Sequence, residues 1–400
     1  MKFRNPFLAA MMRATRSVTR KTTIAMQKRA MNMAISAIHQ SLKRSLPDAA
    51  AAAKSKSPPI KDINPRGDAY AKSGAPSTFT EAPLTAEAED VIDIIDDATH
   101  VAVEADQGRI GQFVARSLTN AAGTRSYKLY IPASYSGQPM PLLVMLHGCK
   151  QDSDDFASGT RMNDIAERAG CFVVYPEQNK SANGQKCWNW FNAIDQQRDR
   201  GEASIIADIT RTVIEAYGCD RDRIFVAGLS AGGAMAVVMG NRYPDLYCAV
   251  GVHSGLPYAA ARDLSSAMKA MRRGADKLGN TDQMDYADQA DHIKALPVIV
   301  FHDDHDKTVH PSNGEQIIEQ ALAHIVSTER TEQGRSAGSS PAYTRAIYED
   351  VAQRPLAELW RLHGTAHAWS GGSATGSYTA PEGPDASKEM MRFFKTAGSQ

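Results

Sequence analysis

The chain has 400 residues, of which 42% are hydrophobic and 22% are charged, and its formal net charge is zero. This composition is typical of a soluble globular protein with one large α/β domain or two smaller ones. No apolar run approaches the ~18 residues that a membrane helix needs, and the balanced charge gives no general indication of nucleic-acid binding.

The N-terminal segment, residues 1–47, carries ten basic residues and no acidic ones, and it lacks Pro and Gly between Leu8 and Leu46. This pattern predicts one or two helices. Two interpretations stay open: a solvated basic helix attracted to the acidic stretch 81–106, or an amphipathic helix that docks on an anionic surface or polymer granule. The apolar stretch FLAAMM is shorter than the core of a standard secretory signal.

Residues 48–107 have the composition of a flexible linker that becomes acidic toward its end, with the stretches AAAAKSKSPP and AKSGAPSTFTEAP. Residues 108–400 are predicted to form one compact domain. Within it, GQFVARSL and RSYKLYIP, separated by TNAAGT, predict a β-hairpin.

Short apolar runs follow the hairpin, typical of strands that are buried on both faces: PLLVMLHG, CFVVYP, RIFVAG, CAVGVHSG and LPVIVFH. Between two of them, residues 201–217 place one apolar face on a helix that Gly218 would end. The alternation predicts a doubly wound, mostly parallel α/β sheet, in which an active site lies at the carboxyl ends of the strands.

The segment Gly228–Gly232 fits the pattern G-x-S-x-G, with Ser230 between a predicted strand and a predicted helix. The bare pattern is weak evidence, but this setting is the one that a nucleophile elbow requires. A serine hydroxyl needs a base to take its proton, and that base needs an acid to orient it. In α/β hydrolases the acid and then the histidine follow the serine along the chain.

Candidate acids and bases occur in that order. The stretch HDDHDKTVHP offers Asp303, Asp304 and Asp306, and the later stretch LHGTAHAWSGG offers His363 and His367. The first of these stretches also resembles a metal site, yet adjacent side chains at a strand end point to opposite faces and the spacing matches no known metal motif. We therefore predict neither a metal nor a cofactor.

An oxyanion hole requires a backbone N–H after the nucleophile, here Ala231, and a second N–H from the loop after an early strand. The loop after VMLHG supplies Cys149 as the predicted second donor, with Gly148 and Lys150 as alternatives.

Seven motifs in this order resemble the poly(3-hydroxybutyrate) depolymerase family of esterases, which is related to feruloyl and acetylxylan esterases: LHGCKQ, CWNWF, VAGLSAGGAM, GVHSGLPY, TVHPSNG, HAWSGG and GSYTAPEGPDAS. The resemblance implies an α/β-hydrolase fold and a Ser–Asp–His triad. It maps the nucleophile to Ser230, the acid to Asp306 and the base to His367. Asp303 stands where the family usually has glycine, so Asp304 is the alternative acid, as His363 is the alternative base.

The same resemblance points to aromatic walls for a short acyl chain, with Trp188, Trp190 and Trp369 as substrate-binding candidates. Cys149 and Cys187 lie in two of the motif loops and could be bridged. The implied activity is hydrolysis of short-chain polyhydroxyalkanoate or its oligomers. The alternatives are a feruloyl or acetylxylan esterase and, in another class, a non-catalytic granule-binding or surface-binding protein.

The implied location is extracellular, with the cytoplasm as the alternative because no standard signal is evident. Members of the family that erode crystalline polymer carry a binding domain after the catalytic one. This chain ends shortly after EMMRFF. We therefore expect good rates on soluble oligomers and poor rates on crystalline polymer.

Overall fold

The computed structural model describes residues 111–275, 296–323, 325–335 and 342–397. The predicted N-terminal helical segment (1–47) and the linker (48–107) lie outside these residues, so both stay predictions. Within the described ranges, no helix has the length and apolar character required to cross a membrane.

The described strands, in chain order, are β1 (Gln112–Asn120), β2 (Gly123–Ile131), β3 (Leu142–Leu146), β4 (Phe172–Pro176), β5 (Ile224–Leu229), β6 (Ala249–His253), β7 (Val298–Asp303), β8 (Thr328–Arg335), β9 (Ala342–Glu349), β10 (Pro355–His363), β11 (Trp369–Ser370) and β12 (Thr379–Ala380). The described α-helices are α1 (Ser153–Thr160), α2 (Met162–Ala169), α3 (Gly201–Tyr217), α4 (Ala231–Arg242), α5 (Leu264–Arg273), α6 (Ser312–Leu322) and α7 (Ala386–Ala397), and a short 3₁₀ helix covers Ala193–Gln196.

Ten strands form one sheet in the order β1-β2-β4-β3-β5-β6-β7-β10-β9-β8. The six central strands, from β4 to β10, pair in parallel, and the hairpin β1–β2 and the pair β8–β9 extend the two sides in antiparallel fashion. The doubly wound, mostly parallel sheet expected from the sequence is therefore confirmed, and so is the N-terminal hairpin.

The central strands are continuous apolar runs because helices cover both faces of the sheet. In β3, Leu142, Val144 and Leu146 belong to one core cluster, whereas Leu143 and Met145 belong to the other. The first cluster includes apolar residues of α3, α4 and α6, and the second includes those of α1, α2 and α7. Alternate side chains of one strand thus enter two cores.

Helix α3 buries the apolar face that its sequence predicts. It ends at Gly218, whose φ of 63° lies in the left-handed region that glycine adopts readily. The parallel strands place their carboxyl ends along one edge, which brings the loops after β3, β5, β6, β7 and β10 together.

Candidate active site

The turn at Ser230 connects the end of β5 directly to the start of α4. Ser230 has φ 56° and ψ −117°, a conformation that non-glycine residues rarely adopt. Two backbone hydrogen bonds hold it: the Ser230 N–H donates to the His253 carbonyl at 2.8 Å, and the Ala234 N–H donates to the Ser230 carbonyl at 2.9 Å. The Ser230 hydroxyl makes no capping hydrogen bond to the start of α4.

The two flanking glycines are required by close backbone approach. A Cβ at Gly228 would overlap the backbone of Gly232, and a Cβ at Gly232 would overlap the carbonyl of Leu146. Neither clash can be relieved by moving a flexible side chain, because the opposing atoms are backbone. The G-x-S-x-G spacing thus follows from how tightly α4 packs against β3 and β5.

Three side chains from three loops form one chain of hydrogen bonds. His367 Nε2 lies 3.0 Å from Ser230 Oγ, and His367 Nδ1 lies 2.6 Å from Asp306 Oδ2. The imidazole is 14% exposed and the carboxylate is fully buried. The structure therefore brings together the serine, acid and histidine that the sequence singled out.

The Asp306 carboxylate is held by donors on both oxygens. The N–H groups of Thr308 and Val309 donate to Oδ1, while Oδ2 faces His367 and also His302 Nε2, 3.5 Å away. Burial alone would raise the pKa of Asp306, but the hydrogen bonds from the two histidines and the backbone outweigh it and hold the pKa well below its usual range. The carboxylate is therefore ionised at any pH at which the protein would work.

The alternative acid and base form a separate pair. Asp304 Oδ2 lies 2.7 Å from His363 Nδ1, Asp304 Oδ1 lies 2.5 Å from His305 Nδ1, and all three side chains are substantially exposed. Neither Asp304 nor His363 is hydrogen-bonded to Ser230 in the described residues. The carboxylates of the stretch HDDHD thus bond different histidines: Asp306 bonds His367, and Asp304 bonds His363.

Asp303, Asp304 and His305 place potential metal-ligand atoms close together. Both Asp303 oxygens, however, already accept hydrogen bonds from the protein: Oδ1 from the His305 N–H and Oδ2 from Gly364 and Thr365. The ligand atoms left for a cation are therefore those of the exposed Asp304 and His305. That the site needs no metal stays a prediction.

The loop after β3 distinguishes the three candidate oxyanion donors. The Gly148 N–H donates to Gln151 Oε1 at 2.9 Å, and the Lys150 N–H donates to the Gln185 carbonyl at 2.7 Å. Within the described part of the chain, the Cys149 N–H has no such acceptor. A disulfide joins Cys149 to Cys187 and ties this loop to the CWNWF segment.

His147 fixes the orientation of the peptide that carries the Cys149 N–H. Its Nε2 accepts a hydrogen bond from the Gln178 N–H at 3.0 Å, so Nδ1 bears the proton and donates to the Gly148 carbonyl at 2.7 Å. In a trans peptide the C=O and the following N–H point in opposite directions. Holding the Gly148 carbonyl therefore directs the Cys149 N–H to the other side of the loop.

The three tryptophans proposed for the acyl pocket are all buried. Trp188 packs against the ring of His147, Trp190 against Phe191, and Trp369 stacks on His253. Trp188 and Trp369 are at most 1% exposed, so the geometry gives them a packing role beneath the site. Contact with substrate stays a prediction, and for these two indoles it would require the surrounding loops to move.

Two buried histidines that the sequence analysis did not select also support the site. His147 directly follows β3 and holds the Gly148 carbonyl, whereas His253 is the last residue of β6. His253 Nε2 accepts from the Ser370 N–H at 3.0 Å, and its backbone carbonyl accepts from Ser230. A histidine at the carboxyl end of a fully apolar strand was the signal available in the sequence.

The fold and the Ser–His–Asp arrangement together define an α/β hydrolase. The family model described as "Esterase PHB depolymerase" matches residues 125–340, more than half of the chain. The chain belongs to this family of esterases. The match confirms the resemblance based on the seven motifs, and it confirms the prediction that the protein is an enzyme.

Individual relatives agree with this family. Poly(3-hydroxyalkanoate) depolymerase C of Paucimonas lemoignei is 30% identical over 266 residues, covering 65% of this chain and 62% of the relative. Feruloyl esterase B of Thermothelomyces thermophilus is 26% identical over 235 residues, covering 56% and 78% respectively. The chain thus spans less than two thirds of the depolymerase. The solved acetyl xylan esterase from Aspergillus awamori shares the fold, with a TM-score of 0.54, 18% identity and coverage of 71% of this chain and 99% of that one.

Acid should destabilise the protein because two buried histidines must stay neutral. Burial, reinforced by the nearby His302 and His367, lowers the pKa of His253 to about 3, and burial also lowers the pKa of His147. When the folded state lowers the pKa of a histidine, the unfolded state binds a proton that the folded state does not. The contribution of His253 to the free energy of unfolding is therefore complete above about pH 6.5 and is lost as the pH falls toward about 3. Each group can contribute a slope of up to about 1.4 kcal/mol per pH unit.

Urea unfolding at about pH 7.5 and at about pH 5 measures this slope. A free energy of unfolding that is equal at the two pH values would contradict the neutral assignment of the buried histidines.

Proposed function

We propose that the protein hydrolyses carboxylic esters through an acyl-enzyme on Ser230. The observation that carries this proposal is the unbroken chain of hydrogen bonds from Asp306 through His367 to a serine held on a strained strand-to-helix turn. The order of the three residues along the chain and the family of the protein support it.

In the first half-reaction, His367 Nε2 takes the proton of the Ser230 hydroxyl while Oγ attacks the ester carbonyl carbon. The tetrahedral intermediate collapses when His367 gives that proton to the departing alkoxide, which leaves as an alcohol. Water then attacks the acyl carbon while His367 takes its proton. The second tetrahedral intermediate collapses by breaking the bond to Ser230 Oγ, which receives that proton from His367 as the acid product departs. Asp306 stays ionised throughout, sets the imidazole tautomer and stabilises the imidazolium.

The charge that develops on the carbonyl oxygen is stabilised by two backbone donors, the N–H groups of Cys149 and Ala231. Ala231 is the first residue of α4, so its N–H is one of the donors that a helix leaves without an internal partner. For Cys149, the engagement of Gly148 and Lys150 with other acceptors supports the assignment. The disulfide and His147 keep this loop in place before substrate arrives.

For the substrate we propose short-chain polyhydroxyalkanoate, in particular oligomers of 3-hydroxybutyrate. The family model and a depolymerase at 30% identity support this class. The second candidate is a feruloyl or acetylated polysaccharide ester, which relatives such as feruloyl esterase B and acetylxylan esterase A of Talaromyces purpureogenus favour.

We also propose an oxidising, extracellular location. A disulfide between Cys149 and Cys187 supports it, because such bonds persist outside the reducing cytosol. Contact of the basic segment 1–47 with a granule or surface stays a separate proposal, since that segment lies outside the described residues.

Substitution of the nucleophile should abolish turnover without unfolding the protein. We expect Ser230→Ala to lower kcat for a p-nitrophenyl ester on the order of 10⁴-fold or more, and EDTA to have no effect on the wild-type protein. Circular dichroism serves as the control for folding. Activity that survives Ser230→Ala but is lost with chelator would overturn the serine mechanism in favour of the metal alternative.

Replacing the Asp306 carboxylate by an amide should lower kcat far more than the same replacement at Asp304. We expect Asp306→Asn to lower kcat about 10³- to 10⁴-fold, because the amide cannot hold the catalytic tautomer. Asp304→Asn, a matched exposed control, should stay within about three-fold of wild type. If Asp304→Asn lowers kcat more than Asp306→Asn does, the acid has been assigned to the wrong carboxylate.

The substrate class is tested by comparing kcat/KM on hydroxybutyrate trimer, a feruloyl sugar ester and acetylated xylan with the same preparation. We expect the trimer to be preferred at least about ten-fold, which corresponds to about 1.4 kcal/mol of differential transition-state binding. Wild-type protein with Ser230→Ala as the blank separates enzymatic from spontaneous hydrolysis. A preference for the feruloyl or acetyl ester would replace our substrate assignment while leaving the mechanism intact.

A further inference from the structure

Asp303 is a fully buried carboxylate that the mechanism above does not use. It ends β7, three residues before Asp306, and its exposed fraction is zero. A buried carboxylate is expensive unless donors satisfy it, so its partners indicate what it does.

Most of these partners lie in the loop that leads to His367. The N–H groups of Gly364 and Thr365 donate to Asp303 Oδ2 at 2.8 and 2.6 Å, and the Thr365 hydroxyl donates to the same oxygen at 3.0 Å. The other oxygen accepts from the His305 N–H at 2.8 Å. One side chain thus holds both the turn that carries Asp306 and the loop that carries the histidine.

The loop between β10 and His367 has a conformation that needs such support. Gly364 has φ 109° and Ala366, directly before the histidine, has φ 55°. The second value lies in the left-handed region, which costs a non-glycine residue free energy that surrounding contacts must offset. Asp303 bonds the two residues between the end of β10 and this strained position, where a small rotation would displace the imidazole.

We propose that Asp303 is a positioning residue that presents His367 to Ser230 and Asp306 by holding the backbone of Gly364 and Thr365. The two carboxylates act on different parts of the histidine, since Asp306 orients the ring through Nδ1 and Asp303 sets the backbone from which the ring projects. The inference rests on the proposed function for its effect on rate, but the position of His367 is measurable without turnover.

The chemistry of the site explains why an amide cannot replace this carboxylate. Each oxygen of Asp303 accepts from at least one N–H, so an acid group with two acceptor oxygens satisfies every donor. In Asp303→Asn, one of the two carboxylate oxygens is replaced by an NH₂ group, which then faces an N–H donor. Either the loop or the His305 turn must then move, and we expect the loop to move because it holds the strained residue.

The test compares Asp303→Asn with Asp304→Asn, the same chemical change at an exposed neighbour. Assays are run well below the unfolding midpoint of each variant. For Asp303→Asn we expect kcat for a p-nitrophenyl ester to fall about 10- to 100-fold with KM within about two-fold, because a displacement of about 1 Å at the base is costly for the chemical step. Asp304→Asn should retain wild-type kcat within about three-fold.

A second readout is the proton NMR signal of the hydrogen on His367 Nδ1, which is assigned by its absence in His367→Gln. We expect this signal to shift or broaden in Asp303→Asn and to stay unchanged in Asp304→Asn. A purely structural role would lower the melting temperature without changing either kcat or this resonance. Unchanged kcat, or a loss of kcat with an unchanged resonance, overturns the proposal.

If Asp303→Asn does not fold, Thr365→Val removes one donor and keeps the carboxylate and its three backbone bonds. We expect kcat to fall about 2- to 5-fold, with a smaller change in the same resonance. No change in either quantity overturns the proposal. Activity that survives in Ser230→Ala would instead refute the proposed function, while the resonance still reports whether Asp303 positions His367.

Discussion

The close packing of helix α4 against strands β3 and β5 is the constraint on which the rest of the site depends. Gly228 and Gly232 lie against backbone atoms with no room for a Cβ, and the chain passes between them through the strained residue Ser230. Because α4 begins immediately after the serine, the same packing presents the hydroxyl and the first free N–H of the helix on one side. The proposed nucleophile and one of the two proposed oxyanion donors thus come from one turn.

The remaining parts of the site are held by buried polar groups at the carboxyl ends of neighbouring strands. His147 follows β3 and His253 ends β6, and both are held neutral by burial. Asp303 ends β7, and Asp306 lies in the turn that follows. Each of them is hydrogen-bonded to backbone groups, and all but His147 are also hydrogen-bonded to a side chain. Such networks cost free energy if half satisfied, so complete satisfaction makes them rigid and pre-organised.

The central strands and the hairpin could be predicted from the sequence because their apolar runs and turn residues are local signals. Strand β8, by contrast, reads TERTEQGR and is exposed along most of its length, so no periodicity marked it; pairing with β9 defines it. The proximity of Ser230, Asp306 and His367 could be predicted from order and motif, whereas their catalytic roles stay a proposal. The contacts of Asp303 could not be predicted, because they are made to a loop about sixty residues later that the parallel pairing of β7 and β10 brings near.

The central claim is that Ser230 is the acylated nucleophile, and the most direct measurement is the site of covalent attachment. The wild-type protein is treated with a fluorophosphonate, digested, and sequenced by mass spectrometry, with heat-unfolded protein as the control. The account predicts one stoichiometric adduct on the peptide containing Gly228–Gly232, located on Ser230 and absent from the unfolded sample. An adduct on another serine, or ester hydrolysis that continues at full rate in protein modified at Ser230, would contradict it.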